Sequence, residues 1–340
     1  MSNISEILKN KPIAVIGAGA FGTSMAKLLA ENGHDTLIFS REKNVVDEIN
    51  TVHTNSMFLK NANLPNNLVA VNDSDLINNS NIIINAVPTQ YIRSLYNDYK
   101  ISLKDKILVN CSKGIETGSL LLISQIFEDE FGVDFNNYVD LTGPSHAEEV
   151  MRQLPTTVVA ASIDHKLAVT VQDLFSNKFF RVYSREDVIG AELGGALKNV
   201  IALAAGVADG LGLGDNTKAA LLTRGLAEMR RLGIKLGAKG ETFAGLSGLG
   251  DLFVTCNSRH SRNRSVGERI GKGSTLKEIQ ATTITVAEGV FTCKAAYELS
   301  LREKIDMPIS EQMYKVLYEE KPIREAIENL MKRDYRPEWE

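Results

Sequence analysis

The stretch from Ile13 to Gly33 constrains this chain more than any other. A four-residue apolar run, Ile13 to Ile16, leads directly into Gly17-Ala-Gly-Ala-Phe-Gly22. Met25, Leu28 and Leu29 then recur on one face of a helical pattern that Gly33 stops. Three glycines at this spacing, between a strand and a helix, each have a physical task. Gly17 permits the tight turn, Gly19 lets the backbone approach a pyrophosphate, and Gly22 lets the helix pack on the strand. The phosphates then face the amide-rich helix N-terminus. The plainer alternative is a merely tight strand-to-helix turn. Under both readings the chain begins as a strand–helix unit of a parallel sheet.

The same rhythm continues. A second strand, Thr36 to Phe39, ends in Ser40-Arg41-Glu42. An NAD-specific site places a carboxylate here for the ribose 2′-hydroxyl; this chain has Phe39 and Ser40, then Arg41, which favours a 2′-phosphate and hence NADP(H). Glu42, or an Arg41 that is only a solvated charge, leaves NAD(H) open. Residues 44–80 are polar and asparagine-rich, and only helices and loops are expected there. Strands resume at Ile82 to Val87, ending in Pro88, and at Lys106 to Asn110, with a helix near Tyr91 to Asn97 between them. Lys113, in Cys111-Ser-Lys-Gly114, lies just past a strand end, where ligands of open α/β sheets bind; a helix is expected from about Ile115. A solvated Lys113 is the other reading. Val139 to Thr142 runs into Gly143-Pro-Ser-His-Ala147, a turn that presents Ser145 and nearby amides to the crevice. His146 reads as an ordinary hydrogen-bonding residue. Strands at Thr156 to Ala161 and Phe180 to Tyr183 complete the sheet.

From Ile189 to Gly206 the chain reads IGAELGGALKNVIALAAG, a small-residue apolar helix that carries one lysine, Lys198. Such a helix is packed on most sides, and desolvation there lowers an ammonium pKa from about 10.4 toward the range of acid–base catalysis. The bland alternatives are a structural ion pair and a side chain that snorkels to water. Beyond Asp187 only helices are expected, at Thr217 to Leu236, Leu276 to Gln280, Thr292 to Leu301, Ser310 to Leu317 and Ile323 to Leu330. The fold class is therefore α/β, a Rossmann-type doubly wound parallel sheet followed by an all-α C-terminal domain. Residues 1–190 form the dinucleotide-binding domain and residues 191–340 the helical substrate-binding domain, with Lys198 at the seam. Leu246-Ser-Gly-Leu-Gly-Asp251 is a glycine-rich approach to a carboxylate that can partner Lys198, of the kind expected where backbone passes close to a ligand. Ser258 to Arg264 crowds Arg259, Arg262 and Arg264 beside Asn263, a fork of donors suited to a phosphate dianion, or else a solvated basic loop. Arg224 to Arg231, with Glu228 among them, reads as an amphipathic helix with surface charges.

Composition narrows the partners. Lys and Arg number 38 against 42 Asp and Glu, a net charge of -4, which disfavours nucleic acid. No run approaches the roughly 18 apolar residues of a membrane span, and Met1 to Lys11 is polar rather than a signal peptide, so a cytoplasmic location is expected. Cys111, Cys256 and Cys293 read as reduced thiols, and the five histidines form no ligand pair, so no metal is expected.

Taken together, GAGAFGT at Gly17 to Thr23, SKG at Ser112 to Gly114, GPSHA at Gly143 to Ala147, ELGGALKNV at Glu192 to Val200, GLGD at Gly248 to Asp251 and SRNR at Ser261 to Arg264 resemble NAD(P)-dependent glycerol-3-phosphate dehydrogenase of the bacterial type. The motifs span about Ile13 to Pro322 in the family's order. The resemblance implies reduction of dihydroxyacetone phosphate to sn-glycerol 3-phosphate, supplying glycerophospholipid synthesis, in a cytoplasmic homodimer. It implies Lys198 as general acid/base with Asp251 and Asn199 beside it. Lys113, Gly143, Ser145, Ser261, Arg262 and Asn263 would contact substrate. Ala20, Phe21, Arg41, Lys113, Ala147, Arg262, Val286 and Glu288 would contact NADP(H) or NAD(H). Ala20 stands where many relatives have serine, and Phe39 where tryptophan is common. Two rivals remain: a related two-domain β-hydroxyacid dehydrogenase, and a non-catalytic nucleotide-sensing protein.

Overall fold

The run Ile13–Ile16 is wholly buried, which a strand covered on both faces requires, and this strand, β1, lies inside a sheet of eight. The structure, a computed structural model, describes residues 7–60, 62–282, 287–335 and 337–338. The strands are β1, β2 (Thr36–Phe39), β3 (Leu68–Val71), β4 (Ile82–Asn85), β5 (Ile107–Asn110), β6 (Tyr138–Thr142), β7 (Thr156–Ala161) and β8 (Phe180–Arg185). Their spatial order is β3-β2-β1-β4-β5-β6-β7-β8. The order reverses between β1 and β4, the switch point where such sheets bind ligands.

Three expectations about this half need correction. Residues 44–80 hold a strand, β3, besides helices; its polar flanks and exposed Val69 disguise an edge strand that pairs with β2. The sheet is not wholly parallel, because β6 and β7 run antiparallel, Leu141 opposite Ala160. Only a five-residue helix, Ala147–Met151, lies between them, too short for the crossover a parallel pair needs. No helix starts at Ile115: Gly118 and Leu120 take positive φ values of 89° and 61°, which interrupt any helix, and the next one is Ile123–Phe131.

The remainder is helical. Helix α8, the eighth α-helix in chain order counting from α1 (Ala20–Glu31), runs from Val188 to Leu211 and lies at the centre. The Asp187 side chain caps it, accepting from the Gly190 N–H. Around it pack α9 (Gly214–Lys235), α10 (Asp251–Asn257), α11 (Arg262–Gly271), α13 (Glu288–Glu303) and α14 (Pro308–Tyr318). The small residues of α8 have a steric reason: a Cβ at Gly206 would stand 2.0 Å from the Arg264 carbonyl oxygen of α11. By length and composition α8 could cross a bilayer, contrary to expectation, yet 94% of its apolar window is buried inside the protein. Glu228 of α9 is not a surface charge. It is 1% exposed, and its carboxylate accepts from the Ile309 N–H at 2.6 Å and the Ser310 N–H at 3.2 Å, closing the N-terminus of α14.

Candidate active site

The turn after β1 has the geometry its glycines suggest. Gly17 takes φ +105°, and a Cβ at Gly22 would lie 1.9 Å from the Gly17 carbonyl oxygen. A Cβ at Gly19 would meet nothing within 4 Å, and no side chain caps α1, whose first amides stay available. A dinucleotide pyrophosphate fits this cradle of open backbone and free N–H groups. Ala20 and Phe21 begin α1 beside it. At the end of β2, Arg41 is exposed, 3.8 Å from Glu42, while Ser40 donates to Glu42 at 2.9 Å. That pair is wet and weak, so Arg41 is free to turn to a ligand.

Across the sheet ends, two lysines share one carboxylate. Lys198 of α8 is 6% exposed; its Nζ donates to Asp251 Oδ1 and, at 2.9 Å, to Thr255 Oγ1. Lys113, from the turn after β5, donates to Asp251 Oδ2 at 2.7 Å and to the Gly143 carbonyl at 3.0 Å. Burial pushes Lys198 down to about 7, with Asp251 opposing and Lys113 assisting. Asp251 is buried, which raises its pKa, yet the Lys113 and Lys198 ammoniums hold it below the ordinary aspartate value. The glycine-rich run before Asp251 is closely packed: a Cβ at Gly248 would stand 2.2 Å from the Phe243 carbonyl oxygen. A Cβ at Gly194 of α8 would stand 2.4 Å from the Ser247 carbonyl oxygen. Thr255 escaped the sequence reading, although its place one helical turn after Asp251 is a usable signal.

The arginine fork divides. Arg264 turns away, its Nε donating to Asp209 Oδ2 at 2.6 Å. Arg259 and Arg262 have no ion pair among the described residues and line a cavity of about 250 Å³ with His260, Ser261, Ser265 and Arg269. Ser261 Oγ caps α11 by accepting from the Arg264 N–H at 3.2 Å. Asn263 is buried, donating to Asn199 Oδ1 and accepting from the Gly289 N–H, each at 2.9 Å. Glu288 sits against Thr89 and Gly114; burial pushes it up to about 7, with Arg262 opposing. Ser145 donates to the Gly143 carbonyl at 2.9 Å, and Ala147 opens the next helix. His146 is not the ordinary hydrogen-bonding residue expected: its Nε2 is buried with no hydrogen-bond partner among the described residues, and burial, then Lys198, lowers its pKa. Val286 lies outside the described residues. The three cysteines are buried and free.

The structure therefore gathers Lys113, Gly143, Lys198 and Asp251 at one point, with Asn199, Ser261, Arg262 and Asn263 along α8 and α11 beside it. Comparison with known proteins places this arrangement. The profile of the NAD-dependent glycerol-3-phosphate dehydrogenase N-terminus matches residues 12–168, and that of its C-terminus residues 187–328. Glycerol-3-phosphate dehydrogenase (NAD(P)+) of Carboxydothermus hydrogenoformans is 48% identical over 96% of this chain and 98% of its own. The Staphylococcus aureus enzyme of the same name is 45% identical over 96% and 99%. The crystal structure of glycerol-3-phosphate dehydrogenase from Coxiella burnetii superposes with a TM-score of 0.89 at 35% identity, covering 95% of this chain and 99% of that one. Matched in both halves and along nearly its full length, the chain belongs to the NAD-dependent glycerol-3-phosphate dehydrogenase family.

Proposed function

We propose that this protein reduces dihydroxyacetone phosphate to sn-glycerol 3-phosphate with NADPH or NADH. The observation that carries the proposal is the buried Lys198 ammonium, bonded to Asp251 and poised near neutrality, at the ends of strands that begin with the dinucleotide turn. The reduced nicotinamide, when bound, supplies the hydride. Lys198 polarises the substrate carbonyl and gives its proton to the oxygen as the carbon becomes an alcohol; neutral Lys198 takes that proton back in the reverse direction. Asp251 keeps Lys198 protonated near pH 7, and Lys113 keeps Asp251 from holding that proton too tightly. Thr255 fixes the amine from the other side. Arg262 takes the phosphate, supported by its exposure on the cavity wall and its lack of an ion pair among the described residues. Ser261 and Asn263 already spend their side chains on α11 and its neighbours, and the Ser261 N–H is taken by the Ser258 carbonyl, so Asn263 contributes through its amide in the first turn of α11 and Ser261 by capping that turn.

Gly17, Gly19, Ala20, Phe21 and Gly22 cradle the pyrophosphate in this proposal, Arg41 the 2′-phosphate, and Ala147 and Glu288 the rest of the cofactor. The division into residues 1–190 and 191–340, which falls within the first turn of α8, a homodimer, a cytoplasmic location and supply of glycerophospholipid synthesis complete it. The test is the loss of nicotinamide absorbance when dihydroxyacetone phosphate is added with NADPH or with NADH. No substrate-dependent oxidation with either cofactor refutes it.

A further inference from the structure

Buried polar side chains cost stability unless they are bonded, so a row of them inside a sheet asks for a use. Asn85, Asn110 and Asp140 are 0%, 0% and 1% exposed and lie at the C-terminal ends or middle of β4, β5 and β6. The strand register sets Asn85 beside Asn110 and Asn110 beside Asp140, so all three side chains share one face. They are bonded along the row. Asn85 Nδ2 donates to Asn110 Oδ1 at 2.9 Å, and Asn110 Nδ2 to Asp140 Oδ1 at 2.8 Å. At the far end the Tyr96 hydroxyl donates to Asn85 Oδ1 at 3.2 Å.

The row's other bonds converge on one residue. The Ser112 N–H donates to Asn110 Oδ1 at 3.1 Å, and Asn110 Nδ2 donates to the Ser112 carbonyl at 3.0 Å. Asn85 Nδ2 reaches Ser112 Oγ at 3.3 Å, and that hydroxyl donates to the Val87 carbonyl at 2.6 Å. Ser112 is thus held by backbone and side chain together, and Lys113 is the next residue.

We propose that the Asn85–Asn110–Asp140 row is a positioning device: it clamps Ser112 so that the Lys113 ammonium meets Asp251 Oδ2 and the Gly143 carbonyl, leaving Lys198 only half of the Asp251 carboxylate. The catalytic consequence rests on Lys198 acting as the proton donor. A slack row lets Lys113 withdraw, and Asp251 then serves Lys198 alone. Losing a nearby cation and gaining an anion both favour the protonated amine, so the Lys198 pKa rises. The other charged or titratable groups facing the two amines stay in place: Asp251 and Cys256 from α10, His146 from the turn after β6, Cys111 at the end of β5, and Asp140 from β6, whose burial favours its neutral form.

The test uses Asn110→Ala and Ser112→Ala, with Asp140→Asn as the conservative change that keeps the acceptor oxygen. Two readouts are taken on the full-length protein: the pH profile of kcat for reduction, with 4-deuterated cofactor to verify that hydride transfer is being read, and amine labelling of Lys113 followed by mass spectrometry. Asn110→Ala should move the high-pH limb upward by about one unit and speed Lys113 labelling several-fold; Ser112→Ala, which loses the hydroxyl's bonds to Asn85 and Val87 but keeps both backbone bonds to Asn110, should move both in the same direction by less, while Asp140→Asn leaves both in place. Should Asn110→Ala fail to fold, Ser112→Ala, a milder change at a part-buried residue, decides. Folded variants with unshifted limbs and unchanged Lys113 labelling overturn the proposal, even where kcat falls. Lys198→Met separates the two ideas: turnover that survives it refutes Lys198 as proton donor, and Lys113 labelling still decides what the row does.

Discussion

Asp251→Asn is the sharpest perturbation of this site, because one carboxylate serves two ammoniums from separate segments of the chain. An amide of the same shape offers one acceptor and one NH2 group, so it cannot satisfy both lysines. A neutral Lys198 amine can accept from that NH2; a protonated one is repelled. Loss of an adjacent opposite charge shifts a pKa by roughly 1–3 units, so from about 7 in the native site Lys198 falls toward about 5. At pH 7 the protonated fraction then drops from about one half to about one in a hundred, and reduction slows by up to ~50-fold. The cost in stability stays below the roughly 3–5 kcal/mol of a stranded buried charge, because Lys198 sheds its proton instead. The assay is kcat for reduction across the pH range, beside a urea melt. The limb should move acid-ward and activity recover at low pH. A folded variant whose limb stays near 7, or moves up, refutes the shared-carboxylate account.

Arg262→Ala should raise KM for dihydroxyacetone phosphate by about 30-fold, near 2 kcal/mol, the lower range for a charge pair that is partly wet; an equal rise with unphosphorylated dihydroxyacetone would remove the phosphate contact. Glu228→Ala should cost about 2–3 kcal/mol by urea unfolding, because two backbone N–H groups at the start of α14 lose their acceptor; a change within 0.5 kcal/mol, roughly the size of a surface substitution, would count against that role. The same group sets a pH signature: burial raises Glu228 in the folded state from 4.5 to about 7, so its stability contribution is full below about 4.5 and lost as pH climbs through 7. Wild type should therefore lose stability over that window more steeply than Glu228→Ala, and parallel curves would speak against it. Arg41→Ala should raise KM for NADPH and leave NADH alone; an equal effect on both cofactors would mean Arg41 does not read the 2′-phosphate.

Much of the site was legible because its signals are local. Glycine spacing after β1, the lysine within a small-residue helix, and the glycine-led Asp251 each show within about twenty residues of chain. Even the Lys198–Asp251 pair could be anticipated, since a buried ammonium demands a carboxylate. Other features left misleading traces. Glu228 has the spacing of an exposed helix charge, yet α14 starts against it. Arg264 looks like a phosphate ligand, yet Asp209 and α8 claim it. Leu68–Val71 lacks the apolar flanks that mark interior strands, because an edge strand needs only one good neighbour.

By itself the sequence determined which segments become strands and helices over most of the chain, where the glycine turn after β1 falls, and which lysine must be desolvated, since these follow from periodicity, glycine freedom and the cost of burying charge. Tertiary structure alone decided who shares Asp251. Lys113 stands 138 residues from it and Lys198 stands 53, and only the packing of α8 between the sheet ends and α10 brings both amines to one carboxylate. The same holds for the row beneath Lys113: three unremarkable polar residues on separate strands become one bonded device only when register sets them side by side.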